Sequence, residues 1–415
     1  MNETPRHPMD IIREEAKAKY NKANINGEKP DDSAHNTIVA KPYVYRDPRS
    51  IPPRQFLHAG HYIRGFLSAT IAPGGLGKTS LQLVEAIGMA TGRDLLKGIT
   101  SPRKLKVWYW NLEDPRDEID RRIAAIILHY NINPSSIEEQ LFINSEEPLV
   151  IATRIRDATV VAEPVVNGLV SEISRLQIDA LIIDPFVSSH KVPENDNNAI
   201  DTVAKTWSGM GRTCNCAVEL AHHIRKPASG STAEITVDDA RGAGSLKDAG
   251  RSVRVLNTMS KEEAESVGIK PDQRKRYFRV EAGKTNMKPP AENIEWRKRV
   301  SVPLDNATPE DEGDWVGVVT KWKMPGALEG VTASDLLRVQ KRVSEDKWRE
   351  DSRATAWIGK AIAETLNLNV REPAVKKRIM GMIKIWIDSG ALRIVEADDD
   401  RRHKREFVEV GEWAT

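Results

Sequence analysis

The chain has 415 residues, enough for two or three domains with a substantial core. Its hydrophobic content of 40% and charged content of 29% fit a soluble globular protein, and a net charge of +2 excludes a global positive field for nucleic acid. No apolar stretch reaches the roughly 20 residues that cross a bilayer, and the N-terminus lacks the apolar core of a signal peptide, so a cytoplasmic protein is expected. Cys214 and Cys216 are the only cysteines and lie in an apolar run, which predicts buried free thiols rather than a disulfide or metal site.

Residues 1–40 are polar and charged with little periodicity, and are expected to form a flexible N-terminal segment with at most a short helix over Asp10–Tyr20. Lys41–Arg54 differs. Its prolines force extended backbone, and Tyr43 and Tyr45 call for burial or stacking. This segment is expected to lie along a domain edge, to cover a nucleotide base, or to pack as a lead-in strand.

Phe66–Ile71 is a short apolar run rich in β-formers, and Thr79–Met89 is apolar at helical spacing and stops near Gly92. Between them stands Ala72-Pro-Gly-Gly-Leu-Gly-Lys-Thr79, a phosphate-binding P-loop in which Ala72 replaces the usual first glycine. Gly74, Gly75 and Gly77 let backbone approach an anion, and Leu76 and Ser80 belong to the same cradle of N–H groups. Lys78 reaches the β- and γ-phosphates of ATP, and Thr79 holds Mg2+. The helix N-terminus then points its dipole at the phosphates.

Strand and helix signals alternate onward. Lys104–Leu112 reads as a strand, followed by Glu113 and Asp114, and Pro115 opens a helix with Ile119, Ile123, Ile126 and Ile127 on one face. Leu141–Asn144, Ile178–Pro185 and Ala217–Ala221 read as further strands, and Val165–Leu176 and Ala199–Gly209 as helices. This alternation predicts an α/β fold with a mostly parallel sheet covered on both faces. Strands near 251–257, 276–281, 296–302 and 315–322 are expected to extend it with antiparallel partners.

Hydrolysis also needs a metal clamp, a group that orients water and a cation at the γ-phosphate. Asp184 closes a buried apolar strand, as a metal-binding aspartate should, and shares the magnesium with Thr79. Pro185 follows it, so no glutamate is available there. Glu113 is the preferred water-orienting group, because it ends the strand expected to neighbour the P-loop strand; Asp114 is the competitor, with an N-cap role before Pro115.

Residues 324–345 read as a linker, and 346–415 as a small domain. Helices over Ala354–Leu366 and Glu372–Asp388 precede a hairpin of Leu392–Glu396 and Glu406–Val410, the order of a winged helix-turn-helix. Lys376, Lys377, Arg378 and Lys384 on the second helix, with Arg401, Arg402, Lys404 and Arg405 at the hairpin tip, form a local DNA-binding footprint blunted by Asp398, Asp399 and Asp400.

The set Ala72–Thr79, Trp110–Pro115, Leu181–Pro185, Leu220–His223 and Arg241–Ser245 resembles the RecA-like ATPases, and within them the RepA-type hexameric helicases of plasmids and mobile elements. The resemblance spans about Tyr62–Asn257 and implies a RecA-like ATPase domain over 41–323. It implies that Glu113 activates water, that His222 or His223 (His223 is the choice here) senses the γ-phosphate, and that Arg241 acts in trans, with Arg251 and Arg254 as alternative fingers. It further implies a hexameric ring with single-stranded DNA in the channel. Val187–Asn198 and Pro227–Asp239 are the expected channel-facing loops, although both are poor in the cations that grip phosphates. The function implied is a Mg-ATP-dependent DNA motor, a replicative helicase of a mobile element or prophage, with a replication or regulatory protein at the C-terminal domain. An ATP-switched DNA-binding regulator or loader is the alternative, and a small-molecule kinase is disfavoured because no Arg-rich lid is evident.

Overall fold

In the computed structural model, residues 40–96, 103–224, 236, 243–287, 294–399 and 402–414 are described. Two compact units are distinguished, ending and beginning at Pro53 and Arg54. In the first, Pro48–Ser50 form a single 3-10 turn capped by the Asp47 side chain, which accepts from the Arg49 N–H at 2.9 Å. The helix expected over Asp10–Tyr20 lies outside the described residues.

The second unit begins with a small hairpin, β1 (Phe56–His58) and β2 (Tyr62–Ile63), and then β3 (Leu67–Pro73), six of whose seven residues are buried. A strand buried on both faces must be covered on both, and the following elements do this. They are α1 (Lys78–Thr91), β4 (Val107–Asn111), α2 (Arg116–Tyr130), β5 (Leu141–Ser145), a hairpin of β6 (Ala152–Ile155) and β7 (Ala158–Val161), α3 (Glu163–Leu176), β8 (Ala180–Asp184), α4 (Asn197–Thr213) and β9 (Ala217–Ile224). After α5 (Ala243–Ala249), β10 (Ser252–Thr258) and α6 (Lys261–Ser266), three long strands follow: β11 (Tyr277–Thr285), β12 (Glu295–Pro303) and β13 (Trp315–Trp322).

Among the described residues nine strands form one sheet in the order β13-β12-β11-β10-β3-β9-β8-β4-β5. The run from β10 to β5 is parallel throughout, and β11, β12 and β13 extend it antiparallel. Alternate residues serve opposite faces. Ala180 and Ile182 pack with Leu83, Ile87 and Ile126 of α1 and α2, whereas Leu181 and Ile183 pack with Ile173, Val203 and Trp207 of α3 and α4. Cys216 is buried as expected, and Cys214 is half-buried; both are free thiols.

The sheet order corrects one sequence expectation. β4, which leads to Glu113, does not neighbour the P-loop strand: β9 and β8 lie between β3 and β4. Local sequence encodes that a strand is buried, not which strand it pairs with.

The C-terminal part consists of α7 (Ala333–Glu345), β14 (Trp348–Arg349), α8 (Ile358–Thr365), α9 (Pro373–Asp388), β15 (Leu392–Asp398) and β16 (Lys404–Val410), with a three-stranded sheet ordered β14-β16-β15. Its core joins Val339, Val343, Trp357, Ile362, Ile379 and Trp386. Residues 333–345 are therefore helical rather than linker. A capping box starts α7, with Thr332 and Asp335 each accepting from the other's backbone N–H, and Val339 and Val343 lie one turn apart on its buried face. The helix expected from Ala354 starts only at Ile358.

Candidate nucleotide site

All the parallel strands end at one edge of the sheet, and the site is built there. β3 runs into the glycine loop, with Gly75 at φ +79° and Gly77 at φ +105°, left-handed conformations that side chains rarely adopt. A Cβ placed on Gly74 or Gly75 would meet nothing within 4 Å, so the loop opens onto free space. Helix α1 starts directly from the loop, with Gly77 as N-cap, no side-chain cap and no acid in its first turn. Its first N–H groups and dipole are therefore available to an anion.

Below the loop, Lys78 and Asp184 form an ion pair of 2.6 Å with side chains 2% and 1% exposed. Thr79 Oγ1 donates to Asp184 Oδ2 at 2.6 Å, and Tyr109 Oη donates to the same oxygen at 2.8 Å. Burial alone would raise the Asp184 pKa; the Lys78 charge and these hydrogen bonds outweigh it and hold the carboxyl below its usual range. Burial pushes the Tyr109 hydroxyl well above its ordinary value, so it remains a donor.

β9 separates the P-loop strand from β8, so its end lies between Lys78 and the acidic turn. In the β3–β9 register His223 stands opposite Ala72 and His222 opposite Ile71. The two histidines thus leave opposite faces of the sheet. His222 is buried, its ring 6.0 Å from that of Phe186 in an edge arrangement. His223 is half-buried, with Nε2 3.8 Å from Glu113 Oε2. Burial and the nearby Lys78 charge lower the His223 pKa, which keeps the ring neutral near pH 7.

Glu113 is placed by a turn that sequence reasoning did not single out. The Asn111 side-chain oxygen accepts from the backbone N–H of Glu113 at 2.9 Å and of Asp114 at 2.6 Å. Asn111 itself is opposite Asp184 in the β4–β8 register. The Glu113 carboxylate is 52% exposed, and partial burial together with the Asp184 charge raises its pKa. A carboxylate with raised proton affinity, open to water and beside a phosphate loop, has the properties of a general base. Asp114 is instead held by Arg122 at 3.3 Å and does not cap α2, whose N-cap is Pro115. The N-cap role expected of Asp114 is therefore absent, and its carboxylate pairs with Arg122 instead.

Two cradle residues contribute only backbone. The Leu76 side chain joins the core beneath α1, and Ser80 Oγ donates to the Gly317 carbonyl of β13 at 2.9 Å. Arg254, an alternative finger, is buried in a bidentate pair with Glu85 of α1, both contacts being 2.6 Å. Its guanidinium is thus committed inside the chain. Arg241 and nearly all of Pro227–Asp239 lie outside the described residues.

The chemistry of these donors fits a nucleoside triphosphate with magnesium: an open glycine cradle, an uncapped helix start, a buried amine and a hydroxyl–carboxylate pair. Lys78 and the loop N–H groups would hold the phosphates. Thr79 and Asp184 would hold the metal, whose charge offsets that of the phosphate oxygens.

Residues 41–229, a little under half of the chain, match the family model described as an AAA domain. The match supports an AAA-type P-loop ATPase. The large, mostly parallel sheet with helices on both faces fits the α/β P-loop NTPase fold. ATP hydrolysis is supported at that general level, with nucleotide binding and, typically, Mg2+. No helix among the described residues is long and apolar enough to cross a membrane.

Most of the described C-terminal basic residues have partners within the chain. Lys377 Nζ donates to the Glu262 carbonyl at 3.0 Å, and Arg378 donates to the carbonyls of Ala327, at 3.1 Å, and Glu329. Lys376 lies 5.5 Å from the centre of the Trp357 ring. At the hairpin, Lys404 pairs with Glu396 at 2.8 Å and Arg405 with Asp399 at 3.5 Å. Lys384 is exposed and lines a groove between α9 and the hairpin together with Arg353, Lys404 and Arg405. Arg401 and Asp400 lie outside the described residues.

Proposed function

We propose that this chain is a Mg-ATP-dependent oligomeric DNA motor, with a RecA-like core of the RepA type and a C-terminal winged helix, and that it serves as a replicative helicase of a mobile element or prophage. The observation that carries the hydrolytic part is the meeting of Lys78, Thr79 and Asp184 with Glu113 and His223 at one sheet edge. In this reading Lys78 and the loop bind the phosphates, Thr79 and Asp184 hold the metal, Glu113 takes the proton of the attacking water, and His223 reports γ-phosphate occupancy to Glu113. Arg241 completes the site of a neighbouring subunit in a hexamer, as an arginine finger that couples turnover to assembly. Single-stranded DNA is the polymer moved, and the groove between α9 and the hairpin takes DNA or a replication or regulatory protein.

The ATP-switched regulator or loader is favoured by a different observation. Most of the cations expected to grip DNA are engaged within the chain, and 187–198 carries one lysine, Lys191. ATP turnover with and without single-stranded DNA, together with strand displacement, separates the two. The motor requires stimulated turnover and displacement; ATP-dependent DNA binding without displacement supports the switch. Mixing Arg241→Ala with Lys78→Ala subunits should restore part of the activity if the arginine acts in trans. No recovery at any ratio contradicts a shared site.

A further inference from the structure

Strand β12 reaches the P-loop from the antiparallel extension, 224 positions along the chain from Gly75. Arg299 Nη1 donates to the Gly75 carbonyl at 3.1 Å, and Nη2 donates to the Lys275 carbonyl at 2.9 Å. Its Cδ is 3.0 Å from where a Cβ on Gly77 would lie, so the stem lies flat against the loop. Nε is buried and meets no acceptor, and among the described residues no carboxylate pairs with this guanidinium. The other arginine on this strand, Arg297, pairs with Glu295 at 2.5 Å.

A half-buried guanidinium without a counter-charge is costly unless an anion arrives. Burial also presses the Arg299 pKa down from the ordinary arginine value. Its contact with the Gly75 carbonyl holds one side of the loop, and its contact with the Lys275 carbonyl anchors the guanidinium to the neighbouring turn. The charge is thus tied to the loop itself rather than to an acid elsewhere.

We infer that Arg299 is a positioning residue of the nucleotide site, acting in cis: it braces the P-loop through Gly75 and Gly77 and adds an uncompensated positive charge to the binding of the triphosphate. The bound phosphates supply the missing counter-charge, and the brace links loop geometry to the Arg274–Arg276 turn. This rests on the nucleotide reading above.

The test is equilibrium binding of ATP, ADP and AMP to the full chain at several salt concentrations, for wild type, Arg299→Met, Arg299→Lys and Lys78→Ala. Arg299→Met keeps the stem and removes the charge; it should weaken ATP about tenfold or more, weaken AMP less, and flatten the salt dependence. Arg299→Lys keeps a charge without the fork and should retain the salt dependence while losing about threefold to tenfold in affinity. It also serves if the methionine variant folds poorly, which thermal melting of the unliganded protein reports. ATP affinity within about twofold of wild type in both arginine variants, with Lys78→Ala impaired, overturns the inference and leaves the P-loop reading standing. A loss with unchanged salt dependence and equal weakening of AMP overturns the charge role. Wild-type ATP affinity in Lys78→Ala overturns the nucleotide reading itself.

Discussion

Helix α1 carries two buried acid–base pairs that look alike and differ in use. Lys78 at its start pairs with Asp184, and Glu85, two turns on, pairs with Arg254 of β10; the contacts are 2.6 Å in both. Around Glu85 the space is closed. Tyr62 donates to its second oxygen at 2.9 Å, and Arg254 Nε donates to Thr70 at 2.8 Å. Thr70, Ser68 and Gln82 donate to the buried Glu219 beside it, whose Oε2 lies 2.9 Å from His61 Nε2. The Lys78–Asp184 pair instead sits under open glycines and an uncapped helix start, with a half-exposed glutamate and histidine across the edge. A short buried ion pair alone does not mark function. Access for an anion and a nearby group free to take a proton do.

Mutation has its largest expected effect at the closed pair. Arg254→Met leaves Glu85 buried without its counter-charge and should lower stability by about 3–5 kcal/mol in urea denaturation. ATP affinity of the folded fraction should stay within about threefold of wild type. A parallel collapse of nucleotide binding would mean that the two pairs are not separable.

Acid sharpens the same contrast. Burial alone would raise Glu85, but Arg254 overcomes it and holds the carboxyl at about 2, against an ordinary value of 4.5. A pKa lowered on folding stabilises the native state above the unfolded value and loses that contribution as pH falls toward the folded one. Wild type should therefore lose on the order of 3 kcal/mol between about pH 4.5 and about pH 2 from this group. In Arg254→Met the largest contribution opposing burial is gone, leaving only Tyr62, His58 and His61 to favour the carboxylate, so its denaturation midpoint should fall less over the same range. Equal acid sensitivity in both proteins would contradict the assignment. The smallest effect is expected at Tyr109→Phe, which removes one of three donors to Asp184 and should cost about 1 kcal/mol by the same denaturation assay.

Much of this was legible in the sequence because it is local. The loop Ala72–Thr79 dictates its own strand–turn–helix context, and Asp184 announces itself as a charge closing a run of apolar residues. The alternation of apolar runs was enough for a doubly covered, mostly parallel sheet. What escaped is non-local. The insertion of β9 and β8 between β3 and β4 depends on pairing partners far apart in the chain, and so does its effect of setting His223 between Lys78 and Glu113. Arg299 reaches Gly75 from another layer of the sequence, and Glu85 in an apolar helix gave no hint of Arg254. Asn111 was within reach, since a strand-end Asn can accept from the N–H groups two and three residues on. Residues 333–345 escaped because a charged amphipathic helix with few apolar positions resembles a linker until its Thr332–Asp335 capping box is noticed.

In the proposed function the sheet edge hydrolyses ATP, with Glu113 as the group that activates water. Paired measurement of ATP affinity and single-turnover hydrolysis in Glu113→Gln tests it most directly. Affinity close to wild type is expected, with turnover lower by at least about a hundredfold, the scale for losing a positioned general base. Near-normal turnover with intact binding would contradict it.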